Sequence, residues 1–158
     1  MRKTIVVASF SLILLAVLPG CWPFSSAPVA KQKGLVVINV LGKELHDDCH
    51  IKGSINVPFE GAESYITQHV ASTADIVLYC SNVMCTSSSA VRKKLIAAGF
   101  ATVSVYRGGT AEWFQLDYPT VGPAQQGYLR AKLRKLPMHK DYEITATDLF
   151  KKLEQGTL

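Results

Sequence analysis

The sequence predicts an α/β fold with a central, mostly parallel sheet flanked by helices, followed by a helical C-terminal extension. Apolar, β-branched runs at 35–40, 76–79 and 102–106 are typical of strands that are covered on both faces. Segments of helical periodicity separate these runs, most clearly at 87–98, where the apolar pattern ends at Gly99. Strands that alternate with helices favour a parallel sheet, and such folds place their sites at the carboxyl ends of strands.

Shorter elements fill the chain between these runs. Residues 42–48 are polar and predict a loop or a helical turn, and residues 54–58 predict a short strand that Pro58 ends. A helix is expected at 60–71. Beyond residue 123 we expect a basic helix at about 128–136. A last helix, capped by Thr145 or Thr147, should end near Leu153.

The first 20 residues have the composition of an export signal. Arg2 and Lys3 precede an apolar stretch at 4–18 that is too short for a stable membrane span. The stretch ends Leu-Pro-Gly-Cys, which resembles the lipobox of bacterial lipoproteins. That resemblance implies lipid on Cys21 and a location on the periplasmic side of a bacterial membrane. A plain secretory signal and an uncleaved anchor are the alternatives. Residues 21–33 are rich in Pro, Ser and Ala and predict a flexible tether.

The charge balance is only mildly basic, with 17 Lys and Arg against 12 Asp and Glu. Removal of Arg2 and Lys3 with the signal would leave 15 basic residues. This excess is too small to indicate nucleic-acid binding. The basic residues are most closely spaced in the C-terminal extension, at 130–135. We expect these residues to lie on a surface of the extension that faces solvent, and a contact with a protein partner or a membrane is the alternative.

Cysteine usage points to one position. Apart from Cys21, the chain has Cys49, Cys80 and Cys85, and an odd number in an oxidising compartment leaves at least one thiol free or intermolecular. Cys80 ends the apolar run at 76–79, and a helix follows it after a short polar loop. Backbone N–H groups and the dipole of that helix favour an anion there, so a thiol in this place tends towards the reactive thiolate.

Four segments, in order, resemble the rhodanese domain family over residues 34–122, which leaves 123–158 as an extension. They read HIKGSINVP at 50–58, IVLYC at 76–80, VYRGGTAEW at 105–113 and YPTV at 118–121. The resemblance implies a rhodanese-like fold and a single-domain sulfurtransferase. In this family the cysteine that ends the second of these segments takes sulfane sulfur from a donor and holds it as a persulfide. Here that residue is Cys80.

The resemblance also implies the partners and the surroundings of Cys80. The donor would be thiosulfate or a persulfide, the acceptor a thiol or cyanide, and neither a cofactor nor a metal is expected. Loop N–H groups would stabilise the persulfide anion. The residues expected to form this anion cradle are Ser81, Asn82, Val83, Met84, Cys85, Thr86 and Ser87. His50 is expected to support the site as a structural histidine hydrogen-bonded between loops, with a role as a base as the alternative.

The loop after Cys80 departs from the family pattern. Relatives commonly carry an arginine near its end, and that position falls on Cys85 or on Ser87, depending on the direction of counting. The loop is therefore longer than usual, and no Lys or Arg lies between Cys80 and Arg92. Arg92 and Arg107 are the candidates to replace the missing cation. Phosphate chemistry depends more heavily on such an arginine, which argues against a phosphatase.

The second thiol of the loop raises two alternatives. Cys85 could form a reversible disulfide with Cys80, or it could resolve a persulfide with release of sulfide. A metal site would need further ligands, such as Cys49 and His50. A third hypothesis is a non-catalytic rhodanese-like module that binds a protein partner through its basic extension.

Overall fold

The computed structural model describes residues 30–134 and 141–156. The predicted signal, Cys21 and most of the predicted tether lie outside these residues, as do the last two residues of the predicted basic helix. Within the described part of the chain, no helix is long and apolar enough to cross a membrane. Export and lipidation therefore stay predictions.

The strands form one four-stranded sheet and one two-stranded sheet. In chain order the strands are β1 Leu35–Asn39, β2 His50–Ile51, β3 Ile55–Asn56, β4 Asp75–Tyr79, β5 Thr102–Tyr106 and β6 Thr120–Val121. The larger sheet has the strand order β3-β1-β4-β5, and each pair of neighbouring strands in it is parallel. The smaller sheet pairs β2 with β6 in the antiparallel sense. The predicted α/β class with a central parallel sheet is confirmed.

Helices cover both faces of the large sheet. They are α1 Lys43–Asp48, α2 Ala62–His69, α3 Ser87–Ala97, α4 Gly109–Gln115 and α5 Ala146–Gln155. Ile76 and Leu78 of β4 pack into the cluster with α2 and α3, whereas Val77 and Tyr79 pack into the cluster with α4 and α5. Successive side chains of a strand point to opposite faces, so a strand buried on both faces is apolar at every position. Cys80 continues the alternation and joins the cluster on the α3 side.

The local predictions hold for most elements. Residues 43–48 form α1, and the helix predicted at 60–71 is α2, preceded by a 3-10 turn at Phe59–Gly61. Thr145 caps α5, because its Oγ1 accepts a hydrogen bond from the N–H of Asp148 at 3.1 Å.

The basic helix predicted at about 128–136 is wrong over its described part. The chain forms a single 3-10 turn at Gly127–Arg130 and continues as extended backbone from Ala131. Leu129 is fully buried, whereas Arg130, Lys132 and Arg134 are exposed. A helix here would lack the apolar stripe from which helices in proteins take most of their stability. Gln115 Nε2 instead donates to the carbonyl oxygen of Leu129 at 2.8 Å and holds the turn against α4.

The C-terminal extension completes the layer on the α4 side of the sheet. The N–H of Val105 donates to the carbonyl oxygen of Tyr142 at 2.9 Å, and the N–H of Ile144 donates to the carbonyl oxygen of Val105 at 3.1 Å. Residues 142–144 thus run along the free edge of β5 and lead into α5. Lys152 of α5 forms an ion pair with Asp75 at the start of β4.

The N-terminus of α4 fixes the backbone at the end of β4. The N–H groups of Thr110 and Ala111 donate to the carbonyl oxygens of Cys80 and Ser81, both at 2.9 Å. Gly109 makes this approach possible, because its φ is +64° and a Cβ there would lie 2.4 Å from the carbonyl oxygen of Cys80.

Replacement of Leu149 by alanine tests whether α5 belongs to the core. Leu149 is fully buried beside Tyr79 and Trp113, so Leu149→Ala should lower the free energy of unfolding by about 2–5 kcal/mol in urea denaturation. The matched control is Leu116→Ala, at a half-exposed leucine, which should change it by about 0.5 kcal/mol or less. Equal effects of the two substitutions would contradict the docking of α5.

A second prediction concerns the contact between α4 and the end of β4. Gly109→Ala should lower the free energy of unfolding by about 2–4 kcal/mol, since alanine at positive φ is strained and its Cβ would collide with the Cys80 carbonyl oxygen. Gly61→Ala is the control, because nothing lies within 4 Å of a Cβ at that position. An effect of Gly109→Ala as small as that of the control would show that the close approach does not occur.

Candidate active site

The candidate site is the loop that joins β4 to α3 at the carboxyl edge of the parallel sheet. Cys80 leaves the sheet directly after Tyr79, and α3 begins at Ser87. Tyr79 pairs with Tyr106 across β4 and β5, so Cys80 and Arg107 leave the sheet side by side. The sequence prediction of a strand, a cysteine, a loop and a helix in this order is confirmed.

A tight turn shapes the middle of the loop. The N–H of Cys85 donates to the carbonyl oxygen of Asn82 at 3.0 Å, and the N–H of Met84 donates to Asn82 Oδ1 at 3.0 Å. These two N–H groups are therefore hydrogen-bonded within the loop and are not directed at a sulfur anion. Thr86 lies at the N-cap of α3, where its carbonyl oxygen accepts the N–H of Ala90 at 3.0 Å.

Cys80 lies at the base of the loop. The residue is only 1% exposed, and its Sγ lies 3.5 Å from the carbonyl oxygen of Cys85 and 3.6 Å from Ser88 Oγ. The hydrogen bond with the Cys85 thiol raises the pKa of Cys80 above its ordinary value, and burial raises it further. The Cys80 thiol also donates to the carbonyl oxygen of Cys85, and this contact, like the raised pKa, favours the proton on Cys80.

Cys85 lies nearer the surface and receives the hydrogen bonds of the loop. The Cys80 thiol lowers the pKa of Cys85 below its ordinary value, and the N–H groups of Ser87 and Ser81 and the Ser87 hydroxyl lower it further. Burial opposes these contacts only in part, because Cys85 is half-buried. Two residues of the cradle expected for a persulfide on Cys80, Ser81 and Ser87, thus direct their N–H groups to the sulfur of Cys85, which favours negative charge there.

Two guanidinium groups reach the loop from outside it. Arg107 Nη2 donates to the carbonyl oxygen of Val83 at 3.2 Å, and its Nη1 lies 3.5 Å from Glu143 Oε1. Glu143 belongs to the extension that runs along β5, so the extension holds Arg107 beside the loop. Arg134 Nη1 lies 3.7 Å from the sulfur of the exposed Met84.

Arg92, the other candidate for the missing cation, points elsewhere. Its Nε donates to the carbonyl oxygen of Val103 at 2.8 Å, and its guanidinium stacks on the ring of Tyr142. Among the two candidates named from the sequence, Arg107 is therefore the one that contacts the loop.

His50 and Cys49 do not join the two loop thiols. His50 Nδ1 donates to the carbonyl oxygen of His46 at 2.8 Å, and the two imidazole rings stack with centroids 3.8 Å apart. Cys49 is fully buried, its thiol is hydrogen-bonded to Thr120, and burial raises its pKa. Over residues 30–134 and 141–156, no group of three or more His, Cys, Asp or Glu side chains is arranged to hold a metal ion.

Two contributors to the site lie outside the residues that the sequence led us to expect around Cys80. Ser88 contacts the Cys80 sulfur through its hydroxyl, and Glu143 anchors Arg107 from 63 positions beyond Cys80. The serine run at 87–89 gave a weak signal for the first. Nothing in the sequence pattern indicated the second, because the contact depends on the path of the extension along β5.

Comparison with known proteins identifies the fold. A model of the rhodanese-like domain family matches residues 28–116. A rhodanese-like domain from Anabaena is 27% identical, with a TM-score of 0.51 over 54% of this chain and 97% of that chain. A thiosulfate sulfurtransferase from Pseudomonas aeruginosa has a TM-score of 0.52 over 56% of this chain and 17% of that chain. It is 18% identical, so the likeness shows the fold alone. No curated protein matches.

The family match spans more than half of the chain, including the parallel sheet and the loop with both thiols, and the chain therefore belongs to the rhodanese-like domain family.

Proposed function

We propose that this protein is a sulfurtransferase that carries sulfane sulfur as a persulfide on Cys80. The observation that carries the proposal is the pairing of Cys80 with Cys85 inside a loop in which the N–H groups of Ser81 and Ser87 point at sulfur. Ser88 contributes a backbone N–H and a hydroxyl towards Cys80, and the Ser81 and Ser87 N–H groups face Cys85. Such a set of donors stabilises a sulfur anion without a metal.

The chemistry requires one exchange at sulfur. A loop thiolate attacks the outer sulfur of thiosulfate, a new S–S bond forms, and sulfite leaves with the electron pair of the broken S–S bond. A thiol or cyanide then removes the outer sulfur from the persulfide and restores the thiolate. No oxidant or reductant is consumed in the transfer itself.

A thiol–disulfide redox role is the second candidate. The contact between the Cys80 and Cys85 thiols favours it, because thiols that share a hydrogen bond are close enough to approach a disulfide with little movement. In this role both thiols would be oxidised together and a partner dithiol would reduce them. A third possibility, a non-catalytic module, requires neither thiol.

Location and partners are further proposals that rest on the sequence. Residues 1–21 support export of the protein and its attachment to a bacterial membrane through lipid on Cys21. The exposed basic residues near Arg134 adjoin the loop at Met84, which supports a protein partner on this side of the molecule.

Intact mass measurement separates the three functions. After reduction and removal of the reductant, incubation with thiosulfate or a low-molecular-weight persulfide should add the mass of one sulfur atom to the full chain. The adduct should disappear on addition of cyanide or a thiol. Absence of the adduct with both donors would exclude the sulfurtransferase. Loss of two hydrogens without gain of sulfur would support the redox role instead.

The role of Arg107 gives a separate prediction. Its guanidinium is fixed beside the loop, so Arg107→Gln should slow alkylation of the loop thiols by anionic iodoacetate about three- to tenfold more than alkylation by neutral iodoacetamide. A general change in thiol exposure would alter the rates of both reagents alike, so its effect cancels in the ratio of the two rates. Arg92→Gln is the matched control, because that guanidinium faces Val103 and Tyr142. An equal ratio in the two variants would show that Arg107 does not supply the cation.

A further inference from the structure

The two thiols of the loop differ in how a donor can reach them. Cys80 is 1% exposed and lies beneath the loop, whereas Cys85 is half-buried and follows Met84, whose side chain is 58% exposed. Cys85 is therefore the more accessible of the two residues to a donor that enters from solvent. Direct attack by Cys80 on a molecule the size of thiosulfate would require the loop to open.

The hydrogen bonds distinguish the same two thiols. The Cys80 thiol donates to the carbonyl oxygen of Cys85 at 3.5 Å, lies 3.6 Å from Ser88 Oγ, and also faces the sulfur of Cys85. Cys85 accepts from the N–H groups of Ser81 and Ser87, which suits a thiolate. Since the thiolate is the nucleophile, the reachable thiol is also the one in the reactive form.

We propose that Cys85 is the nucleophile that first takes the sulfur from the donor, and that Cys80 then receives it from Cys85. This relay rests on the proposed sulfurtransferase function and names the order of events within it. Cys85 thereby has a catalytic role, in place of the arginine that relatives commonly carry in this part of the loop.

Atoms, electrons and protons balance in both steps of the relay. In the first, the Cys85 thiolate attacks the outer sulfur of thiosulfate, sulfite leaves, and Cys85 becomes a persulfide anion. In the second, the proton of Cys80 passes to the outer sulfur of that persulfide, the resulting Cys80 thiolate attacks the same outer sulfur, and the S–S bond to Cys85 breaks. The Cys85 thiolate is restored, and the proton of Cys80 ends on the transferred sulfur. Neither step needs an oxidant or a reductant.

The buried end point protects the product. A persulfide on Cys80 would lie at a buried residue beside Ser88, where thiols and cyanide from solvent would reach it more slowly than they would reach a persulfide on the more exposed Cys85. The relay thus divides capture and storage between two sulfur atoms, which a loop with a single cysteine cannot do.

Cysteine variants of the full chain test the order. Reduced protein is mixed with thiosulfate, stopped with acid at intervals, and mapped by peptide mass. Cys85→Ser should load Cys80 at least about tenfold more slowly than the wild type, because the remaining thiol is only 1% exposed and its burial, which this variant leaves in place, still disfavours the thiolate. Cys80→Ser should still gain one sulfur, held on Cys85. Cys49→Ser is the matched control and should load like the wild type. Circular dichroism verifies folding, and Cys80→Ala replaces Cys80→Ser if that variant is unfolded.

Each outcome bears on the relay. Loading of Cys85→Ser at the wild-type rate, or absence of sulfur on Cys80→Ser, would overturn the relay while the wild-type adduct still supports the sulfurtransferase. Release of sulfide with formation of a Cys80–Cys85 disulfide would also overturn it, because Cys80 would then attack the inner sulfur. If no form of the protein gains sulfur, the proposed function itself fails.

Discussion

The position of β4 in the middle of the parallel sheet determines where every group of the site lies. Its residues are buried on both faces, so the chain becomes free to form a loop only at its carboxyl end, where Cys80 begins. The N–H groups of Thr110 and Ala111 fix the first two carbonyl oxygens of that loop, and Gly109 permits their approach. The neighbouring strand β5 ends in register and delivers Arg107 to the same edge.

Within this frame, a contact between two sulfur atoms controls the chemistry. The pair holds one proton between two thiols that differ in burial, and the backbone N–H groups of Ser81 and Ser87 favour negative charge on the more exposed one. Burial of a second negative charge on Cys80 would be costly, since the Cys85 thiolate would repel it and only the hydroxyl and N–H of Ser88 lower the pKa of Cys80. Arg107, directly after β5, donates to the carbonyl oxygen of Val83 in the loop, and Glu143 of the C-terminal extension pairs with it.

The strongest patterns of the sequence predicted the fold and the place of the site. The apolar run at 76–79 and the helix after it could be recognised because burial on two faces and helical periodicity leave clear traces in a sequence. The predicted helix at 128–136 failed because charge and helix propensity cannot replace an apolar stripe, and Leu129 alone anchors that segment. Cys80 was placed correctly at the end of the strand, but the expectation that its thiol tends towards the thiolate was wrong, because the contact with Cys85 and burial raise its pKa. The protonation state depends on which N–H groups of the loop turn inward, and the Asn82 turn removes those of Met84 and Cys85.

The location of the negative charge is the central claim, and the ultraviolet absorbance of the thiolate measures it most directly. On titration of the reduced chain, one thiolate should already be present at about pH 7, below the ordinary range for cysteine, because the Cys85 pKa is lowered. This thiolate should persist in Cys80→Ser, where a hydroxyl still faces Cys85, and should be absent at that pH in Cys85→Ser. A thiolate that persists in Cys85→Ser but is lost in Cys80→Ser would place the charge on Cys80 and contradict the account.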